Sequence, residues 1–212
     1  MSQVVEKVTA FIIRPAKRGG HDLLLFRHPN GGIQIPTGTV EDGEKPEGAV
    51  LREAAEETGL PGLSVWQYLG NWEEKMPPGQ AVVAERTQVY TRPDPTSADW
   101  AYLRRGLSVN VLRRAEGFNQ VKYEEFNRTP DPEYVTLSIL GWVPGDVLAY
   151  KRVRHFFLLR PQSWTPDEPW SVSTENQVYT LFWAPLGALP PIIPPQDTWL
   201  EMLDQAVALL RA

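Results

Sequence analysis

The chain has 212 residues, 42% of them hydrophobic, a formal net charge of −5 and no cysteine. That length and apolar content fit one large domain or a domain with a small module, and exclude global disorder; the acidic balance argues against a long nucleic acid as partner, since phosphate-neutralising surfaces carry excess Lys and Arg. Disulfides, thiolate metal sites and cysteine nucleophiles are excluded, no apolar run reaches the roughly 18 residues of a membrane span, and residues 1–10 lack a signal-peptide pattern, so the cytoplasm is the expected location.

In chain order, residues 6–14 and 22–27 read as strands, and residues 31–40 as a short strand entering a glycine-containing loop. Residues 46–58 read as a helix, with Pro46 at its first turn and Gly59 just past its end. Residues 64–72 predict another strand. Much later, residues 155–160 and 178–183 predict strands rich in aromatic and branched side chains. Residues 190–195 (PPIIPP) form a stiff connector, and residues 198–210 predict a final helix with Thr198 and Glu201 as a capping box. Strands and helices mix without regular alternation, which predicts an α+β fold with a mixed sheet flanked by helices.

The middle, residues 84–148, differs in texture. It offers short strands and turns and no helix: residues 107–113 and 121–125 flank a turn at Glu116-Gly117, and the turn-rich residues 127–132 precede Leu140-Gly141-Trp142-Val143. With TQVYTRP at 87–93, RGLSVNVL at 105–112 and GWV at 141–143, this stretch resembles a bacterial SH3-like domain. The alternative is a β-rich insertion without separate identity. The resemblance implies an inserted small β-barrel at 84–148 within a domain formed by residues 1–83 and 149–212. The insert holds eight Lys/Arg and nine Asp/Glu, so it is no basic platform for RNA. Its expected roles are covering a cleft, contacting a substrate or forming a homodimer.

On a helical wheel at about 100° per residue, Glu53, Glu56 and Glu57 fall within an arc of about 100°. Val50, Leu51 and Ala54 lie on a separate stripe that would face the core, and Arg52 sits beside Glu56. Like charges at these spacings disfavour a helix by roughly 0.2–0.5 kcal/mol per pair. Glu56 and Glu57 also occupy the last turn, where the macrodipole disfavours anions. A hard divalent cation would turn the repulsion into attraction. A solvated acidic face is the plainer reading of the three glutamates alone.

The flanking residues narrow the choice. From Gly38, five residues lead to Glu44, and seven more lead to Arg52-Glu53, Ala54, Ala55, Glu56-Glu57, Thr58, Gly59 and Leu60. Residues 38–60 thus resemble the Nudix box, G-x5-E-x7-R-E-U-x-E-E-x-G-U, at every fixed position, with the small Ala54 at the first aliphatic place. The resemblance implies an α/β/α sandwich and the metal-dependent hydrolysis of a diphosphate bond in a nucleoside diphosphate linked to another moiety: ADP-ribose, a nucleotide sugar, a dinucleoside polyphosphate or an NTP. It implies Mg²⁺ or Mn²⁺ held by Glu53, Glu56, Glu57 and the Gly38 main-chain carbonyl. Glu44, Arg52 and Gly59 take structural roles, with Arg52 orienting a glutamate. The general base is either Glu53 or Glu175, which precedes the late strand at 178; an exposed loop acid is the other reading of Glu175.

Three further residues are candidates for substrate contact. Arg27 ends a strand near the box and would touch phosphate, or else form a surface ion pair. Trp164 and Trp170 read as residues of a Pro-rich loop and would stack on a base, whereas Trp183 sits in an apolar strand and reads as core. His28 and His155 read as ordinary packed or surface histidines. The rival function is a non-catalytic, nucleotide-sensing Nudix-like protein, which nucleotide turnover would separate from a hydrolase.

Overall fold

The computed structural model describes residues 3–17, 19–129, 131–174 and 177–210. In chain order the elements are β1 (Val5–Pro15), β2 (His21–His28), β3 (Gly32–Gln34), β4 (Thr37–Thr39), α1 (Pro46–Thr58) and β5 (Leu63–Lys75). There follow β6 (Gln80–Val83), β7 (Thr87–Tyr90), β8 (Asp99–Leu103), β9 (Ser108–Ala115), β10 (Phe118–Phe126), β11 (Val135–Pro144) and β12 (Leu148–Ala149). The chain closes with β13 (Lys151–Pro161), β14 (Trp170–Thr174), β15 (Gln177–Pro185) and α2 (Leu200–Leu210). The class is α+β, mostly strand. The chain divides into two compact units, Val8–Asn71 with Arg154–Ala212, and Met1–Lys7 with Trp72–Val153. The boundaries fall inside β1, β5 and β13, and the stretch expected as an insert, 84–148, lies within the second unit.

The first unit is built on a sheet of order β14-β15-β2-β1-β13-β5, with β3 paired to β2 and β4 to β1. The period-2 geometry of a strand sorts its side chains. Val8, Ala10 and Ile12 of β1 join Leu24, Phe26, Leu159 and Leu181 in a buried cluster that receives Ala49, Val50 and Ala54 of α1. Phe11 points the other way and stacks on Phe156, whose ring in turn meets Trp199 edge-on, just ahead of α2. Both faces of the sheet therefore carry apolar cover. Fully burying a side chain such as Phe11 contributes roughly 1.5–3 kcal/mol.

Helix α1 has the bounds its punctuation predicts. Lys45 gives no side-chain cap, and Pro46 supplies the preset φ of a first turn. Gly59 adopts φ 66°, and its N–H donates to Ala55 O at 2.9 Å. The last-turn carbonyls find partners: the Thr58 hydroxyl donates to Ala54 O, and the Trp170 indole N–H donates to Thr58 O at 2.9 Å.

Two expectations are corrected. Thr198 does not cap the final helix. It lies in a 3-10 turn, Gln196–Trp199, and its hydroxyl donates back to Pro195 O at 2.7 Å, so α2 begins at Leu200. Trp170 is the first residue of β14 and not part of a loop, because its partner in the ladder is Leu181 of β15.

The second unit is a seven-stranded sheet of order β12-β6-β9-β10-β11-β7-β8. Its core is small and branched: Ala81, Val83, Val89, Val109, Val121 and Val143. β9 and β10 are joined by the two residues Glu116 (φ 51°) and Gly117 (φ 79°), with Ala115 facing Phe118. Two successive positive φ values are the type I′ geometry that matches strand twist. Among the described residues this unit has one short 3-10 turn, Gly145–Val147, and no α-helix. No helix among the described residues of the chain is long and apolar enough to cross a membrane.

Candidate functional site

The acidic face of α1 meets β4. Thr37 N–H donates to Glu57 Oε2 at 2.9 Å, and Thr39 N–H donates to Glu53 Oε1 at 3.0 Å. Alternate residues of a strand present their amides to one side, so two donors spaced by two residues meet acids spaced by four on a helix. Gly38 lies between them. A Cβ on Gly38 would overlap the Glu53 carboxyl group, so only glycine lets backbone and carboxylate come this close. β4 itself is fixed by pairing with β1 and by the Ala10 N–H donated to Pro36 O at 2.9 Å.

Arg52 ties the neighbouring acids together. Its Nε and Nη2 donate to the two oxygens of Glu44 at 3.1 and 2.8 Å, a bidentate pair. Nη2 also donates to Thr39 O at 3.1 Å. Nη1 stands 3.0 Å from Glu53 Oε1 and 3.5 Å from Glu56 Oε2. Glu44 is held in turn by the Glu41 N–H at 3.1 Å. Arg52 thus connects the loop, the strand β4 and the acidic face of α1.

The charges respond accordingly. The bond from Arg52 holds the Glu44 carboxyl below the usual carboxylate range, and Glu44 pushes the already high Arg52 further up. Glu53 moves the other way: burial raises its pKa, outweighing the Thr39 N–H and the Arg52 charge. Glu56 is the most exposed of these acids.

Among the described residues no three His, Cys, Asp or Glu side chains converge as a ready metal cage. Glu53 and Glu57 are drawn onto β4 amides, and Glu56 is drawn to Arg52. The donor set nevertheless fits a hard divalent cation in kind. Every donor is an oxygen, the acids lie on one helix face, and the Cβ-free backbone at Gly38 abuts the Glu53 carboxyl group.

The remaining candidates scatter. Glu175 lies outside the described residues. Arg27 is exposed on β2, opposite Thr180 and Ile33, and alternation puts it on the face away from Leu24 and Phe26, which pack beneath α1. Trp170 packs against Trp183 at 6.4 Å, and its N–H is engaged by Thr58. Trp183 packs against the core as expected, with its N–H on Pro166 O and Arg14 over its ring. Trp164 is 79% exposed. His28 Nδ1 accepts from the Asn30 N–H at 3.0 Å, and burial lowers its pKa. His155 Nδ1 is 3.0 Å from the Tyr68 hydroxyl. The Thr37 and Thr39 amides were not among the sequence candidates. Backbone donors have no side-chain signature, and their only trace in sequence is the glycine they flank.

The NUDIX domain model matches residues 5–101 of the chain. The chain is 54% identical over 39 residues to the ADP-sugar pyrophosphatase of Mus musculus, covering 18% of each protein. It is 43% identical over 42 residues to Nudix hydrolase 25 of Arabidopsis thaliana, covering 20% of this chain and 24% of that protein. The chain thus matches between about a fifth and a quarter of the length of these curated relatives.

Proposed function

We propose that the chain is a Nudix pyrophosphohydrolase that uses Mg²⁺ or Mn²⁺ to cleave a diphosphate bond in a nucleoside diphosphate linked to another moiety. The observation that carries the reading is the approach of Glu53 and Glu57 to the backbone on either side of Gly38. The domain match and the names of both relatives support the same chemistry.

Glu53, Glu56, Glu57 and the Gly38 carbonyl would hold the cation. When bound, the ion neutralises charge developing on the phosphoryl group and acidifies the attacking water. The chain's own residues do the positioning. Both described contacts of Glu53 fall on Oε1. Arg52 fixes Glu53 through Nη1, and Glu44 fixes Arg52 by accepting from its Nε and Nη2. Water must lose a proton as it attacks, and Glu53 and Glu175 are the two proposed bases. The SH3-like reading of 84–148 is part of the proposal; the antiparallel strands β7 to β11 inside that stretch support it, and their sheet also takes in β6 from outside it.

The test is turnover of a nucleotide panel with Mg²⁺. It begins with ADP-sugars, after the mouse relative's name, and continues through dinucleoside polyphosphates and NTPs. Glu56→Gln and Glu57→Gln should each lower kcat by about 10²-fold or more. Activity that survives both substitutions overturns the reading. Tight binding of one nucleotide with no turnover of any favours the sensing alternative. Glu175→Gln in the same panel separates the two bases, since near-normal turnover eliminates Glu175.

A further inference from the structure

The carboxylate site makes no use of the far end of β1. A cavity of about 540 Å³ opens there, and Arg14, Lys17, Trp66, Arg160, Trp164 and Asp167 are among its lining residues. That volume falls within the roughly 300–1,000 Å³ of small-molecule sites.

The charges of this lining do not cancel. Asp167 is met by Lys17 at 2.8 Å and by Arg14 at 3.3 Å, and Lys17 above all holds its carboxyl below the usual range. Arg14 is further occupied by Asp22, the Thr165 hydroxyl and Pro166 O. Arg160 has no acidic partner among the described residues, and its guanidinium lies over the Trp66 ring at 5.5 Å. Three cations therefore meet two carboxylates, Asp167 and Asp22, and Arg160 is the cation left over, in a chain whose net charge is −5.

Of the two indoles, Trp66 carries the Arg160 guanidinium, and Trp164 has no ring contact among the described residues. Trp164 is 79% exposed and Trp66 39%. Trp170 and Trp183 in the same unit show the contrast, since each is partly buried and donates its N–H to a carbonyl. An isolated exposed tryptophan needs no explanation. Two of them line one cavity with a guanidinium that has no acidic partner among the described residues, and together they form a coherent set of recognition elements. Indole faces take a flat ring, and the cation takes an anion. A hydrocarbon would leave the guanidinium unused, and a bare anion would leave the indoles unused.

We infer that this cavity is a nucleotide site, taking a purine nucleoside phosphate with its base against Trp164 and its phosphate toward Arg160. It is separate from the carboxylates of α1. Glu44, Glu53, Glu56 and Glu57 are all absent from its lining. Binding here does not depend on hydrolysis at the carboxylates.

The test is calorimetric titration of the whole chain with AMP in EDTA. AMP should bind at one saturable site. Trp164→Ala should weaken AMP about tenfold, the usual scale of one lost base-stacking partner. Arg160→Ala should weaken AMP by a similar factor and leave adenosine unchanged. Glu57→Gln and Trp100→Ala, the latter an exposed indole of the other unit, should leave AMP binding intact. Three results overturn the inference: no AMP binding, inorganic phosphate binding as tightly as AMP, or AMP binding that survives Trp164→Ala and is lost with Glu57→Gln. Loss of turnover with intact AMP binding counts against neither the cavity nor its ligand.

Discussion

Gly38 in the α1 unit and Gly117 in the seven-stranded unit are glycines for opposite reasons. Gly38 sits in a strand with an ordinary φ and has no room for a methyl group, because the Glu53 carboxyl group fills the space. Gly117 has open space around it and an extraordinary φ of 79°. One position is restricted by what lies beside it, the other by the path of its own backbone. The first kind of constraint marks a place where main chain and functional group must approach. The second marks a turn, and its consequence is confined to the stability of a hairpin.

Substitution can break that comparison. Gly38→Ala should have the largest effect, lowering kcat/KM by about 10²-fold, because the added methyl displaces Glu53 by a fraction of its own length. Wild-type turnover in Gly38→Ala would dissolve the distinction between the two glycines. Gly117→Ala should cost roughly 1–2 kcal/mol of stability through the left-handed φ alone. It should shift the denaturant midpoint without changing turnover measured well below the transition.

The smallest effect concerns acid. Glu44 is held below its ordinary value of 4.5 by Arg52, so its stabilising contribution is complete above that pH and fades as pH falls below it. Melting temperatures followed from pH 6 downward should therefore drop less steeply in Glu44→Gln. Equal slopes would mean that the Arg52 bond contributes nothing to folding.

The parts that were legible in sequence are those whose causes are local. Pro46 and Gly59 carry the start and stop of α1 in their own backbones, and the glutamate arc follows from helical spacing. The hairpin at Glu116-Gly117 was equally local. Features caused by distant partners were not legible. The strand expected at 64–72 continues to Lys75, and the one expected at 155–160 begins at Lys151. Glu73 and Glu74 pair with Lys151 and Arg152 at 2.6 and 2.5 Å, so two charged stretches that look unlike strands sustain each other across the ladder. Trp170 likewise read as a loop residue because both of its anchors, Leu181 and Thr58 O, are far away in sequence.

The two amides of β4 have a further consequence for Glu53 and Glu57. A free glutamate samples many rotamers, and fixing one costs about 1.5–2 kcal/mol of side-chain entropy. Here strand hydrogen bonds restrict both carboxylates before any ligand arrives. Their ordering belongs to folding, so the proposed cation would draw on two acids whose side-chain entropy the strand has already removed.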